Sequence, residues 1–220
     1  MVEVAGMPIL EHQVRQLKQA GVSDIVIMEG FKASMIQDYF GDGSRWGLTI
    51  HHLVEQEGVN LGSFGSAGII RQALATIPET ESDVVIMYGY IISEFDIEAL
   101  VRTHEESGRP MTLNLTYYTV PLGVVDINQE GVVTAFREKP RLFVSTGICV
   151  VKREILGKLP EKGDFFADVP QGFAEDITPY ISDAQWWHIT NGDDLRRADQ
   201  ELRERRLNVE GDSARRTERM

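Results

Sequence analysis

Residues 25–28 read Ile25-Val26-Ile27-Met28, an apolar run that predicts a short strand buried in a sheet. A helical pattern opens at Pro8, in front of this run, and ends at Gly21. A second helical pattern follows the run from Lys32 to Phe40. A buried strand between two helices is the repeating unit of α/β proteins, so this stretch decides the fold class.

The same alternation continues through the first half of the chain. Strands are predicted at Leu48–Val54 and Asp83–Met87, a helix at Ser66–Ala75 between them, and a helix capped by Asp96 after them. This order predicts an α/β fold with a mostly parallel sheet and helices on both faces.

After Pro110 the strands follow one another without intervening helices. They are predicted at Met111–Tyr118, Leu122–Ile127, Val132–Glu138 and Phe143–Val151. The last clear helix is predicted at Gly192–Arg206. The tail at 208–220 carries charges of both signs and few apolar residues, so we expect it to be disordered.

Charge and composition exclude several classes of function. A formal net charge of −12 argues against a nucleic-acid partner, because the phosphate backbone would be repelled. The single cysteine, Cys149, allows no intrachain disulfide and lies in an apolar run typical of a buried thiol. No apolar stretch approaches the roughly 20 residues of a membrane span, and the first residues lack a signal-peptide pattern, so a cytoplasmic protein is expected.

Six short motifs occur in a fixed order over residues 1–203. They are Gly6–His12 (GMPILEH), Asp38–Gly47 (DYFGDGSRWG), Gly65–Gly68 (GSAG), Glu138–Pro140 (EKP), Val144–Ile148 (VSTGI) and Trp186–Ile189 (WWHI). This ordered set resembles the sugar-1-phosphate nucleotidyltransferase family and is similar to its mannose-1-phosphate guanylyltransferase-like and glucose-1-phosphate nucleotidyltransferase-like members.

The resemblance implies a fold and an organisation of the chain. It implies the Rossmann-like sheet of the nucleotide-diphospho-sugar transferases in one domain over residues 1–207. Within that domain, residues 1–109 would form a nucleotide-binding half and residues 110–207 a sugar-phosphate-binding half. The family's first strand would precede Met1, so it is expected to be missing from its place between the strands at Ile25–Met28 and Val84–Met87.

The resemblance also implies a reaction, in which a nucleoside triphosphate and a sugar 1-phosphate form an NDP-sugar and pyrophosphate. Two anions must meet in line, so the site needs positive charge and fixed geometry. Family members supply a glycine-rich loop with an arginine and a lysine, and two aspartates that hold Mg²⁺. The loop and the lysine would precede Met1 in this sequence.

By resemblance, the sugar phosphate would contact Glu138, Lys139, Gly123, Ser145 and Thr146. Lys139 can neutralise the phosphate and Glu138 can accept hydrogen bonds from sugar hydroxyls. Glu138 and Lys139 are otherwise an ordinary charged strand end, and Gly123 a plain strand glycine. Ser145 stands where the family often has asparagine.

The nucleotide would contact Gln56, Gly65, Ser66 and Ala67. The last three open a helix, so their backbone N–H groups are expected to face the base or the ribose. Gln56 would bond a base edge, or else is an exposed amide at a strand end.

The two aspartates that hold the metal are replaced in this chain. Tyr90 occupies the first position and His188 the second. A phenol and an imidazole are poor ligands for Mg²⁺, which prefers oxygen ligands such as carboxylates. We therefore expect no metal site and no cofactor in the chain as given, although Mg²⁺ is expected for intact family members.

Two hypotheses follow for the function. In the first, the chain is a degenerate nucleotidyltransferase homologue, a pseudoenzyme candidate that binds a sugar 1-phosphate or an NDP-sugar as a regulatory or partner subunit. Its partner would be a homologous active subunit or a second copy in a homo-oligomer. In the second, it is an active enzyme whose initial segment is missing. Tyr90 and His188 favour the first, because both lie well inside the chain.

Overall fold

The computed structural model describes residues 1–54, 65–172 and 174–217 of the protein. Seven α-helices occur in these residues: α1 (Ile9–Gln19), α2 (Ala33–Phe40), α3 (Gly65–Ala73), α4 (Ile97–Ser107), α5 (Arg153–Gly157), α6 (Phe165–Gly172) and α7 (Gly192–Thr217). The first six strands are β1 (Glu3–Val4), β2 (Met7–Pro8), β3 (Asp24–Glu29), β4 (Thr49–Val54), β5 (Asp83–Met87) and β6 (Ile91–Ser93). The remaining strands are β7 (Met111–Thr119), β8 (Val124–Ile127), β9 (Val133–Arg137), β10 (Arg141–Lys152), β11 (Ile177–Ile181) and β12 (Trp186–His188).

The α/β class is confirmed, and the strand pairing within it is mixed. The largest described sheet has the order β11-β7-β10-β5, and β10 runs antiparallel to both of its neighbours. Parallel pairing, which we expected to dominate, joins β3 to β4 and β11 to β7. The reason is that β7 and β10 are connected through the β8–β9 hairpin without a crossover helix, so the chain returns in the opposite direction.

The central sheet is covered on both faces. On β10, Cys149 and Val151 pack in one cluster with Ala67 and Ile70 of α3. The alternate residues Ile148 and Val150 pack in another cluster with residues of α4. Burial raises the pKa of the Cys149 thiol, which agrees with the inert role that the sequence predicted.

The sequence correctly predicted the start of α4, but α7 extends further than the predicted helix Gly192–Arg206. Asp96 accepts a hydrogen bond of 2.9 Å from the backbone N–H of Ala99, which confirms the predicted cap of α4. Helix α7 continues to Thr217, past Arg206 and into the segment for which the sequence predicted disorder. No described helix has both the length and the apolar character to cross a membrane.

Strands β3 and β5 do not pair with each other. Among the described strands, β3 pairs only with β4, and β5 pairs only with β10. Helix α1 lies near both strands. Its side chain Gln13 donates a hydrogen bond of 2.7 Å to the carbonyl of Tyr88, just past the end of β5. In the described ranges, no strand lies between β3 and β5, where the resemblance places the family's first strand.

Candidate functional site

The two positions expected to carry metal aspartates come together at the end of β5. Pairing of β12 with β6 sets His188 opposite Ile91, next to Tyr90. The rings of Tyr90 and His188 meet edge to face, with centroids 4.8 Å apart. The ring of Tyr88 lies 5.3 Å from that of Tyr90. We call Tyr88, Tyr90 and His188 the aromatic cluster.

The aromatic cluster does not fit a magnesium ion. Burial, together with neighbouring Tyr88 and Asp164, raises the pKa of Tyr90, so its phenol stays neutral at neutral pH. A neutral phenol and an imidazole do not match the oxygen ligands that Mg²⁺ prefers. In the part of the chain that the structure describes, no group of three or more His, Cys, Asp or Glu side chains is arranged to hold a metal.

The amino end of α3, where the nucleotide was expected, is covered by the chain itself. The backbone N–H of Ala67 donates to the carbonyl of Gly163 over 3.0 Å, and the Ala67 side chain is fully buried. Gly65 has φ +64°, and a Cβ there would lie 2.1 Å from the Gly163 oxygen. The expectation that these N–H groups face a base or ribose therefore does not hold for Ala67, because a carbonyl already accepts its hydrogen.

Ser66 joins this helix end to the aromatic cluster. Its hydroxyl donates to Asp164 over 3.2 Å, and accepts from the Tyr88 hydroxyl over 3.1 Å and from the Phe165 N–H over 2.8 Å. The hydroxyl is thus held in one direction by three groups. Gln56, the remaining nucleotide candidate, lies outside the described residues.

Sequence reasoning did not identify Tyr88, Asp164 or Phe166 as part of the site. Phe166 packs edge to face on Tyr88, with ring centroids 5.0 Å apart. A signal for the helix that carries Phe166 was present, because Asp164 follows Gly163 and accepts from the Ala167 N–H over 2.8 Å, as a capping residue does. No local pattern indicated that this helix start would lie against Ser66, which is distant in the sequence.

The sugar-phosphate candidates Gly123 and Glu138 are neighbours in the structure. A Cβ on Gly123 would lie 2.6 Å from the Phe136 ring and 3.3 Å from a carboxylate oxygen of Glu138. Only glycine therefore fits here without displacing that ring. Lys139 follows with φ +45°, a backbone conformation that side-chain-bearing residues rarely adopt, and both charged side chains are exposed.

Ser145 and Thr146 differ in their access to solvent. Ser145 is exposed, whereas Thr146 is buried and its hydroxyl donates to the Asn114 carbonyl over 3.2 Å. Of the two side chains, only that of Ser145 is open to a ligand. The register of β10 against β7 shifts directly after Ser145, and the Gly147 carbonyl accepts from the Tyr88 N–H over 3.3 Å. The irregular part of β10 that follows Ser145 thus adjoins the aromatic cluster.

Comparison with known proteins finds relatives in the family that the sequence motifs resemble. The family model described as "Nucleotidyl transferase" matches residues 1–204. The mannose-1-phosphate guanylyltransferase of Mycobacterium tuberculosis is 27% identical over 169 residues, which cover 73% of this chain and 45% of that protein. The glucose-1-phosphate cytidylyltransferase of Salmonella typhi is 30% identical over 156 residues, which cover 64% of this chain and 60% of that protein.

Solved structures share the fold. The crystal structure of HddC from Yersinia pseudotuberculosis complexed with GMP-PN superposes with a TM-score of 0.70 at 20% identity, over 92% of this chain and 88% of that one. A putative glucose-1-phosphate thymidylyltransferase from Bacillus anthracis gives a TM-score of 0.71 at 19% identity, over 92% and 85%. The chain spans about half the length of the curated relatives it matches. The matched region covers 45% of one mannose-1-phosphate guanylyltransferase and 54% of another.

Proposed function

Since the chain belongs to the nucleotidyl transferase family, we propose that it binds a sugar 1-phosphate or an NDP-sugar without catalysing magnesium-dependent nucleotidyl transfer. Its role would be that of a regulatory or partner subunit. The names of the similar proteins support this class of ligand, because they specify mannose 1-phosphate or glucose 1-phosphate as substrates.

The observation that carries the proposal is the contact between Tyr90 and His188. Joining two phosphates requires positive charge between them, which a metal ion supplies when carboxylates hold it. At this point the chain has two adjoining aromatic rings and no carboxylates. Losing several kcal/mol of charge stabilisation slows such a step by about a thousandfold or more.

The sugar side keeps the groups that a phosphorylated sugar needs. Glu138 lies over Gly123, so its carboxylate is placed to accept hydrogen bonds from sugar hydroxyls where backbone can approach closely. Lys139 follows directly and carries an exposed ammonium group, which can pair with the phosphate. The chain therefore keeps side chains that can bind a phosphorylated sugar, Glu138 and Lys139, although Tyr90 and His188 replace the carboxylates that would hold a metal.

A test compares the wild-type chain with the Tyr90→Asp/His188→Asp double variant. Calorimetry with Mg²⁺ is expected to detect binding only in the double variant, because two carboxylates then adjoin where the rings meet. Titration with hexose 1-phosphates is expected to give similar micromolar to millimolar affinities for both proteins. Pyrophosphate release is not expected from the wild-type chain, because Tyr90 and His188 stand where carboxylates would hold the metal.

The matched control is the Tyr88→Phe variant, which keeps the aromatic cluster and adds no carboxylate. It is expected to behave like the wild type towards Mg²⁺. Wild-type binding of Mg²⁺ as tight as that of the double variant would contradict the proposal. So would pyrophosphate release by the wild type above that of a Lys139→Ala variant, with any nucleoside triphosphate and hexose 1-phosphate.

A further inference from the structure

One face of the β8–β9 hairpin consists of exposed apolar side chains. Val125 lies opposite Phe136, and Ile127 lies opposite Val133, so these four residues share one side of the two-stranded sheet. In the order given, their exposed fractions are 42%, 64%, 63% and 58%. We call these four residues the hairpin face.

The opposite side of the hairpin is polar. Arg137 and Asp126 form an ion pair of 2.7 Å there. Because side chains alternate between the two sides of a strand, the hairpin separates polar from apolar residues. This separation is typical of an antiparallel sheet with one side in water and the other packed on a second layer.

The hairpin has little support from the rest of the chain. Among the described strands, β8 and β9 pair only with each other. A two-stranded sheet is marginally stable in water, and it gains stability from further strands or from packing on its apolar side. The hairpin face is therefore the surface on which a second layer would stabilise the hairpin.

Charge favours a second copy of the chain as this layer. The formal net charge is −12, so two copies repel each other across most of their surfaces. The hairpin face has no charged side chain, so two copies can meet there without that repulsion. A two-fold axis through the face sets the same apolar side chains on one another, whereas no polar group in it could select a partner of different chemistry.

The size of the hairpin face fits the centre of a dimer interface. Four side chains with these exposed fractions present roughly 400 Å² of apolar surface, which is in the range of patches that mark interaction sites. A standard interface buries roughly 800 Å² on each partner, with an apolar centre and a polar rim. The hairpin face would supply the centre, and the polar residues around it would supply the rim.

We infer that two copies of the chain associate through their hairpin faces, packed sheet against sheet across a two-fold axis. The interface borders the sugar-phosphate candidates, because the Phe136 ring lies over Gly123 and a Glu138 oxygen lies beside it. The inference names a second copy as the partner in the proposed subunit role. Only that role rests on the proposed function, since the contact itself follows from the hairpin.

Analytical ultracentrifugation of the wild-type chain, without any sugar phosphate, tests the inference. We expect a monomer–dimer equilibrium with a Kd of about 1–100 µM, because the apolar face is smaller than a standard interface. Amide exchange is then compared well above and well below that Kd. It should slow roughly threefold or more in residues 124–137 of the dimer, and this measurement needs no variant.

Two variants provide the matched comparison. Val133→Asp places a carboxylate in the hairpin face of both copies, so repulsion and the cost of burying the charge should weaken the dimer roughly tenfold or more. Ile181→Asp is the control, because Ile181 is 48% exposed on β11, outside the hairpin face. It should leave the Kd unchanged. Circular dichroism of both variants at low concentration should match that of the wild type, because both side chains are exposed.

Three results would overturn the inference. A wild-type chain that stays monomeric at roughly 200 µM would show that the hairpin face is not a dimer interface. Equal Kd values for the wild type and Val133→Asp would place the contact elsewhere. Slower exchange in other residues, with residues 124–137 unchanged, would do the same. Because no sugar phosphate is present, failure of the dimer leaves the proposed binding function standing, and failure to bind a sugar phosphate leaves the dimer standing.

Discussion

Replacement of Lys139 by glycine is expected to stabilise the protein while weakening its affinity for a sugar phosphate. Lys139 has φ +45°, in the left-handed region that costs a side-chain-bearing residue roughly 1–2 kcal/mol. Glycine avoids most of that cost but loses more conformational entropy on folding. We therefore expect a net gain of about 1 kcal/mol in the free energy of unfolding, or about 2–4 °C in Tm for a chain of this size.

The affinity change follows from the charge. A lysine ammonium about 4 Å from a phosphate contributes about 1 kcal/mol in water, and more in a less polar setting. Lys139 is exposed, so we expect the lower end of this range and a loss of roughly fivefold in affinity. Lys139→Arg keeps the charge and the side chain, so it should retain binding and show no gain in stability.

Urea titration and calorimetry with a hexose 1-phosphate measure the two quantities. Lys32→Gly is the matched control, because Lys32 also has positive φ, at +59°, and its ammonium lies over the Phe31 ring. It should raise the urea midpoint by a similar amount and leave sugar-phosphate affinity unchanged. Unchanged or lower stability of Lys139→Gly at equal m-value would refute the strain argument, and unchanged affinity would remove Lys139 from the site.

Two further predictions concern stability. Gly65→Ala should lower the free energy of unfolding by about 2–5 kcal/mol, because it adds a Cβ at φ +64° only 2.1 Å from the Gly163 oxygen. Gly131→Ala, at φ +80° in open space, is the control and should lower it by about 1 kcal/mol. Equal urea midpoints for the two variants would contradict the close approach at Gly65. Burial lowers the pKa of His52, but hydrogen bonds to Glu29 and the Gly41 carbonyl outweigh burial and raise it. Because the folded pKa lies above the unfolded value of 6.5, this stabilisation is complete below pH 6.5 and is lost as the pH rises through the folded pKa. Thermal melts of wild type and His52→Gln between about pH 5 and pH 9 should therefore converge at high pH, and a constant difference would refute the assignment.

The sequence by itself determined the class of fold and the family. The apolar run Ile25–Met28 between two helical patterns is a local signal, because periodicity and end residues act within a few positions. The sequence also identified Tyr90 and His188 as departures from the family pattern, because the ordered motifs around them fix their places. Each of these conclusions depends on neighbours in the chain.

Tertiary structure alone decided what surrounds the candidate site. The N–H of Ala67 is occupied by the Gly163 carbonyl, and the hydroxyl of Thr146 is occupied by the Asn114 carbonyl of β7. Both partners are distant in the sequence. Tyr90 and His188 meet because β6 and β12 pair in one register, which no local pattern specifies. The resemblance already implied a gap between β3 and β5, but the sequence did not show that α1 and α3 cover it on opposite faces, because that packing joins segments distant in the chain.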